Sequence, residues 1–361
     1  MRQRTLITLP AIALASLAAP AGALAHEREQ DRDHHRPPAF TPTIAGVPQV
    51  GETLTADLGG GAGERDLGRF ARWLRCDASG GNCVRLHVRG EGYVLMPEDA
   101  YHTIRVRVTR VCRWARVARG LSDPTEVVLT AQPGGPRLLL QDFAGPDGLV
   151  TNDYAYRQPD APDAVRSPDW FLTNGSLFRR GGVGWTGVPD NGVTDAGSTT
   201  ATHSASFRLV SQRGDLESTM LSLAAERVGL TSTSTTPEVA WDGAHVVLRW
   251  QSLASFYSVS FDRRDGLVAI KKKVAGGPSY GGTYTTLAWR NAPQAGWQHV
   301  KAVAHTNDDG SVTLGLFRED HLVLSVTDRG AGGAPPLGAG HVGVYGDNAE
   351  LQLDDLAVDQ L

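Results

Sequence analysis

The stretch SVTLGLFREDHLVLSVTD, residues 311–328, holds two apolar-rich runs, Val312-Thr313-Leu314-Gly315-Leu316 and Leu322-Val323-Leu324-Ser325-Val326, on either side of Arg318 to His321. Two such runs joined by a short polar segment read as a hairpin. Working outward, the same grammar recurs. Short alternating runs are punctuated by Asp147-Gly148, Asn174-Gly175, Asn191-Gly192, Asp242-Gly243, Asp265-Gly266 and Asp309-Gly310, the dipeptides that tight hairpin turns favour. Residues 137–361 therefore read as one large antiparallel sandwich. Further upstream, Ile104, Val106 and Val108 alternate with Arg105, Arg107 and Thr109, as a strand with one buried face requires. Strands also read at 52–58, 70–76 and 93–96, with no helix of convincing length, so residues 43–130 form a second, smaller sandwich around Trp73. The fold class is all-β throughout.

Between the two sandwiches, Gln132-Pro133-Gly134-Gly135-Pro136 breaks the strand pattern, and the boundary is placed there, with residues 131–136 as linker. The first 25 residues carry Arg2 and Arg4, an apolar run from Leu6 to Ala18 and the small-residue site Ala23-Leu24-Ala25, the three regions of a secretory signal. That run is short of the roughly 20 residues a membrane span needs. The mature chain is expected to begin at His26 and to be secreted into the extracellular space without a membrane span. Residues 26–42 alternate charge and proline without apolar periodicity and read as a flexible leader in which His26, His34 and His35 belong to no defined metal site.

The whole chain carries 35 basic and 39 acidic residues, a net charge of −4, which offers no dominant positive face for nucleic acid. The charge is uneven, with 12 basic and 10 acidic residues in 43–130 against 18 and 25 in 137–361. Arg105, Arg107, Arg110, Arg113, Arg116 and Arg119 make a basic stretch, read as the solvated face of alternating strands. The three cysteines, Cys76, Cys83 and Cys112, include no CxxC pair and so no zinc set; they read as one disulfide with one thiol left over.

Three segments, PTIAGVPQVGETLTADLGG, ARWLRCDASGGNC and YVLMPEDAYHTIRVRVT, resemble the immunoglobulin-like repeat of secreted actinobacterial proteins. The resemblance implies a Cys76–Cys83 bridge and leaves Cys112 free or pairing between copies. In the larger sandwich, QDFAGPDGLVTNDYAY, WFLTNGSLFRR, the segment around residues 296–328 and GHVGVYGDNAELQLDDLAV resemble the concanavalin A-like jelly roll. That superfamily includes laminin G domains, family-16-type glucanases, polysaccharide lyases and the 3-keto-disaccharide hydrolase group. The resemblance implies a concave sheet that meets sugar, and a structural calcium between Asp142 and Asp354, which open and close the domain in a DF…DD pattern.

On the strand 245–251, His245, Val247, Arg249 and Gln251 alternate with Val246, Leu248 and Trp250. The next strands set Ser258, Ser260 and Asp262 against Tyr257, Val259 and Phe261, and Lys271 and Lys273 against Val268 and Ile270. The polar wall of His245, Arg249, Gln251, Lys271 and Lys273 is the candidate ligand surface, with cations suited to an acidic sugar. Trp185 and Trp289 are candidates for stacking on sugar rings. No ExDxxE strand motif, GxSxG, phosphate loop, HExxH or dinucleotide fingerprint is present, and no catalytic residue is assigned. The expectation is a secreted, monomeric glycan-binding protein whose partner is a polysaccharide or cell-wall glycan. The alternatives are a polysaccharide lyase using His245, Arg249 and Lys271, a glycoside hydrolase, or an adhesion scaffold.

Overall fold

A computed structural model describes residues 40–59, 66–112, 116–189, 205–233 and 236–361. The expected signal segment, nearly all of the leader and the turn at Asn191-Gly192 lie outside these residues, as does the side chain of Cys112. No helix among the described residues is long and apolar enough to cross a membrane.

The first unit contains β1 (Thr43–Ala45), β2 (Thr53–Asp57), β3 (Asp66–Cys76), β4 (Val84–Arg89), β5 (Gly92–Val94), β6 (Thr103–Cys112) and β7 (Arg116–Leu121). They make a three-stranded sheet, β1-β2-β5, and a four-stranded sheet, β4-β3-β6-β7. The alternation read at residues 104–108 holds: Ile104, Val106 and Val108 are buried with Leu54, Ala71, Tyr93 and Leu95 around Trp73. Trp73 has no exposed surface, and its indole N–H donates to Gly90 O at 3.1 Å. Cys76 and Cys83 form a disulfide.

The second unit runs through β8 (Arg137–Gln141), β9 (Gly148–Asn152), the single helical turn α1 (Tyr154–Arg157), β10 (Trp170–Asn174), β11 (Ser176–Arg180), β12 (Val183–Trp185) and β13 (Ser206–Ser211). It continues with β14 (Thr219–Leu230), β15 (Gly243–Ser252), β16 (Ser255–Arg263), β17 (Leu267–Ser279), β18 (Gly282–Asn291), β19 (Gln298–Thr306), β20 (Val312–Arg318), β21 (His321–Asp328), β22 (His341–Asp347) and β23 (Ala349–Gln360). Two antiparallel sheets result. One has seven strands in the order β10-β13-β22-β15-β16-β17-β18; the other runs β21-β20-β19-β14-β23-β12-β11-β9, with β8 also paired to β23. The hairpin read at 312–326 is β20 and β21. Inward-facing Val246, Leu248, Val259, Phe261, Val268, Ile270, Val342 and Val344 meet Leu221, Leu223, Val300, Ala302, Leu314, Leu316 and Leu353 from the opposite sheet. Burying this many large side chains, each contributing roughly 1.5–3 kcal/mol, is what holds the sandwich closed.

The outer faces of the two sheets differ. On β20 almost every residue is buried, including those facing away from the sandwich core. The reason is the first unit: Leu129 and Ala131 pack on Met220, Val303 and Phe317, with Tyr101 and Leu322 beside them. Gly315 permits this approach, since a Cβ there would lie 2.4 Å from Leu129 Cδ1. Tyr101 stacks on His305 with ring centroids 3.8 Å apart. Gln49 clamps the β20–β21 turn, its amide donating to Asp320 O at 2.6 Å and its carbonyl accepting from Leu322 N–H at 2.6 Å. The stretch read as a linker is held too: Lys301 Nζ donates to Ala131 O, Gly135 N–H to Gln360 O, and Gln360 N–H to Pro136 O. With one face of the sandwich covered, the outer face of the seven-stranded sheet is left open.

Candidate functional site

That open face carries a groove of about 540 Å³. Register builds it, because residues directly opposite on neighbouring strands project to the same side. Arg208 on β13 pairs with Tyr345 on β22, Tyr345 with His245 on β15, and His245 with Ser260 on β16, so four functional side chains stand in one row across four strands. A second row joins Ser258 to Lys271, and a third runs from Phe256 through Lys273 to Tyr284 on β17 and β18. Trp241, Tyr280 and Tyr284 stand at the groove with 54%, 65% and 44% of their surfaces exposed, so three aromatic rings are left open in one concavity.

His245 sits on the groove floor, its Nδ1 hydrogen-bonded to Ser260 Oγ at 2.8 Å and its Nε2 3.8 Å from Asp347 Oδ2. Burial pushes the imidazole below its ordinary range, opposed by Asp347 and reinforced by Arg263 and Lys271, so the ring is neutral at pH 7. Asp347 also lies 3.9 Å from Arg208 Nη2 and so stands between the imidazole and the guanidinium. Arg208 stacks over Tyr280 at 4.6 Å and over Tyr345 at 5.6 Å. Burial drives the Tyr345 hydroxyl upward, which keeps it protonated.

Lys273 stands in an aromatic enclosure. Its Nζ lies 4.9 Å from the Tyr284 ring, 5.2 Å from Phe256 and 5.6 Å from Tyr280, and donates to Leu253 O at 2.7 Å. Burial and the nearby Arg208 charge lower its pKa to about 8, against the pull of Asp347. Lys271, half a wall away, is also lowered by burial and by Arg263.

The structure therefore brings His245, Lys271 and Lys273 together, and it places Arg249 and Gln251 elsewhere. β15 is bulged: its pairing with β16 shifts between Leu248 and Ser252, its pairing with β22 shifts between Val247 and Trp250, and Arg249 adopts a positive φ of 51°. One inserted residue reverses the side-chain alternation. Trp250 consequently joins Val247 and Phe256 on the groove side, while Arg249 turns inward, 2% exposed, donating to Glu217 O, Leu337 O and Thr306 Oγ1. Gln251 lies at the strand end, bonded to Ala339 O and Ser255. Asp262 also leaves the wall and pairs with Arg227 from the opposite sheet at 2.9 Å.

Trp185 is a core residue, 5% exposed and donating to Glu350 Oε1 at 2.8 Å. Trp289 is exposed on the edge strand, outside the residues that line the groove. Asp142 accepts from Ala144 N–H and Asp354 from Asp355 N–H; no three His, Cys, Asp or Glu side chains converge among the described residues. No step below runs through a metal.

Arg208, Tyr280, Tyr284, Tyr345 and Asp347 are groove residues that sequence reasoning missed. Two of their strands carried the signal: Ser206, Arg208 and Val210 alternate with Phe207 and Leu209, and Gly343, Tyr345 and Asp347 with Val342 and Val344.

No protein-family model and no curated protein matches this sequence. Among solved structures, a laminarinase from Flavobacterium sp. UMI-01 is similar at a TM-score of 0.35 and 8% identity, over 62% of this chain and 100% of its own. Alginate lyase Aly36B is similar at 0.34 and 9%, over 62% of this chain and 96% of its own. An endo-β-1,4-glucuronan lyase from the fungus Trichoderma reesei is similar at 0.30 and 8%, over 64% of this chain and 96% of its own.

Proposed function

We propose that the groove on the seven-stranded sheet binds an acidic polysaccharide outside the cell, in keeping with the export expected from residues 1–25. The observation that carries this reading is the juxtaposition of three cations, Arg208, Lys271 and Lys273, with the rings of Trp241, Tyr280 and Tyr284 in one open concavity. Aromatic faces suit the apolar faces of sugar rings, and guanidinium and ammonium groups suit carboxylates. Asp347 answers Arg208, and a neutral glycan would leave Lys271 and Lys273 without an ion-pair partner among the described residues.

A second reading is favoured by the row Arg208, Tyr345, His245. A neutral imidazole whose Nε2 has no hydrogen-bond partner among the described residues can accept a proton, and a protonated tyrosine beside it can donate one. On a uronate, His245 would take the proton α to the carboxylate while Arg208 stabilises the developing negative charge. The bond from the neighbouring carbon to the glycosidic oxygen would then break, with Tyr345 protonating that oxygen and a carbon–carbon double bond left in the ring. Both readings are separated by one experiment. The full chain is run through native gels containing polygalacturonate or neutral dextran, and polygalacturonate digests are followed by ultraviolet absorbance of the double bond. Retardation by the polyuronate alone, abolished in Arg208→Ala, supports binding; absorbance that grows with time and stops in His245→Ala supports elimination. Absence of retardation and of product across a broad glycan panel would refute both and move the protein to the scaffold class.

A further inference from the structure

The first unit carries a feature that the groove does not use. The outer face of its four-stranded sheet is a basic field: Arg72 on β3 stands directly opposite Arg107 on β6 and Arg89 on β4, so three guanidiniums line up across three strands. Leu74 is flanked in the same way by Arg85 and Arg105, and Thr109 by Arg119. Strands lie about 4.7–4.9 Å apart, and like charges directly opposite each other are destabilising. Arg72, Arg85, Arg89, Arg107 and Arg119 are exposed, and none makes an ion pair with a described residue. Glu91 is the one carboxylate among the residues around Arg72 and Arg89, and it too makes no ion pair.

Elsewhere in the chain several arginines are met by carboxylates. Arg137 meets Asp359, Arg213 meets Asp215, Arg263 meets Asp265, Arg264 meets Asp242, and Arg329 meets Asp309. A solvated sheet face explains arginines alternating with buried valines; it does not explain their alignment in cross-strand rows without counter-charge among the described residues. Within the rows, Phe70 stands opposite Thr109, Leu74 opposite Arg85 and Arg105, and Leu121 opposite Arg107, so apolar side chains are interspersed among the arginines along a shallow groove of about 640 Å³.

We infer that this face is a second polyanion site, and that its occupant is a carboxylated or sulfated glycan. The site stands on the arginine rows alone, while the choice of a glycan rests on the reading of the groove in the second unit. Guanidinium forks take carboxylate or sulfate bidentately, and apolar side chains set among them suit the apolar faces of sugar rings. Single-stranded nucleic acid is held by successive aromatic platforms, and this groove offers only Phe70.

The test uses the full chain, with polygalacturonate, neutral dextran and a single-stranded oligonucleotide of matched charge as probes. Arg72→Ala/Arg107→Ala should weaken polygalacturonate binding by roughly tenfold or more and lower the slope of log affinity against log salt by about 1–2. Its Tm should stay level or rise, since it removes a repulsive pair. Arg72→Lys/Arg107→Lys should keep the slope and lose the part of the affinity that depends on the planar fork. Arg208→Ala separates the two sites: if it alone weakens binding and the double alanine variant binds like wild type, the arginine face is not a site although the groove reading stands. If the double variant weakens binding and Arg208→Ala does not, the face stands and the groove reading falls. Tighter binding of the oligonucleotide than of polygalacturonate would overturn the glycan assignment.

Discussion

Replacing Lys273 with methionine should make the protein more stable while weakening its hold on an acidic glycan. Lys273 is 2% exposed, and its pKa falls from 10.5 to about 8, chiefly through burial. At 1.36 kcal/mol per unit, keeping the ammonium charged in that position costs about 3 kcal/mol at neutral pH. Against this, methionine leaves Leu253 O without its 2.7 Å donor, worth about 1 kcal/mol, and trades the ammonium–ring contacts for weaker sulfur–ring contacts. The net expectation is a gain of about 1–2 kcal/mol at pH 7, read as a rise in Tm of roughly 3–6 °C for a unit of this size. The sign of the pH dependence is a second check. Between pH 8 and 10.5 the unfolded chain still holds the lysine proton that the folded chain has released, so wild-type stability climbs through this window and the gap to Lys273→Met closes. Chemical denaturation of both proteins at pH 7, 9 and 10.5 measures it. A less stable variant at pH 7, or a gap that does not change across this range, would refute the reasoning.

Asp328→Ala should cost about 3–5 kcal/mol in urea unfolding, because Lys272 Nζ, fully buried 2.9 Å from Asp328, would be left as an uncompensated charge; a loss below about 1 kcal/mol would contradict this. Wild-type stability should fall by up to about 3 kcal/mol as pH drops from 6.5 to 4, since burial and the nearby Arg249 hold His305 at a pKa of about 4 while the unfolded chain takes up the proton. His305→Gln should remove that part of the acid sensitivity, as seen in denaturation midpoints across the window. Reducing Cys76–Cys83 should lower the stability of the first unit by roughly 2–3 kcal/mol through the lost loop constraint, measured by calorimetry with and without reductant.

The groove was legible wherever alternation ran unbroken. β17 keeps its period from Val268 to Lys273, so Lys271 and Lys273 fall on the face their positions imply. β15 keeps it only as far as Leu248. The bulge at Arg249 packs against Gly340, where a Cβ would meet the Arg249 carbonyl carbon at 2.6 Å, and a glycine so distant in sequence leaves no trace in the local pattern. Tyr280 and Tyr284 reach the site through the β17–β18 hairpin, whose register shift between Ala275 and Ser279 is a tertiary fact. The all-β class was legible because Asp-Gly and Asn-Gly turns agree with period-two runs in residues 137–361, and period-two runs carry residues 43–130. The covering of one sheet by the first unit had a local signal in Val303 and Phe317, apolar residues on the side a solvated sheet would make polar.

The clamp between the units, from Gln49 to the β20–β21 turn and from Arg329 Nη2 to Ala78 O, changes what the two surfaces proposed above for acidic glycan would accomplish together. On a slack tether, a second attachment is governed by an effective concentration that declines gently as the tether lengthens. With the units pinned, the distance from arginine face to groove is a fixed ruler. Glycan chains shorter than that ruler are held at one end only and exchange quickly; chains that reach across are retained by both. If both proposed surfaces engage one chain, affinity plotted against chain length should climb in a step, reporting polymer size as well as charge.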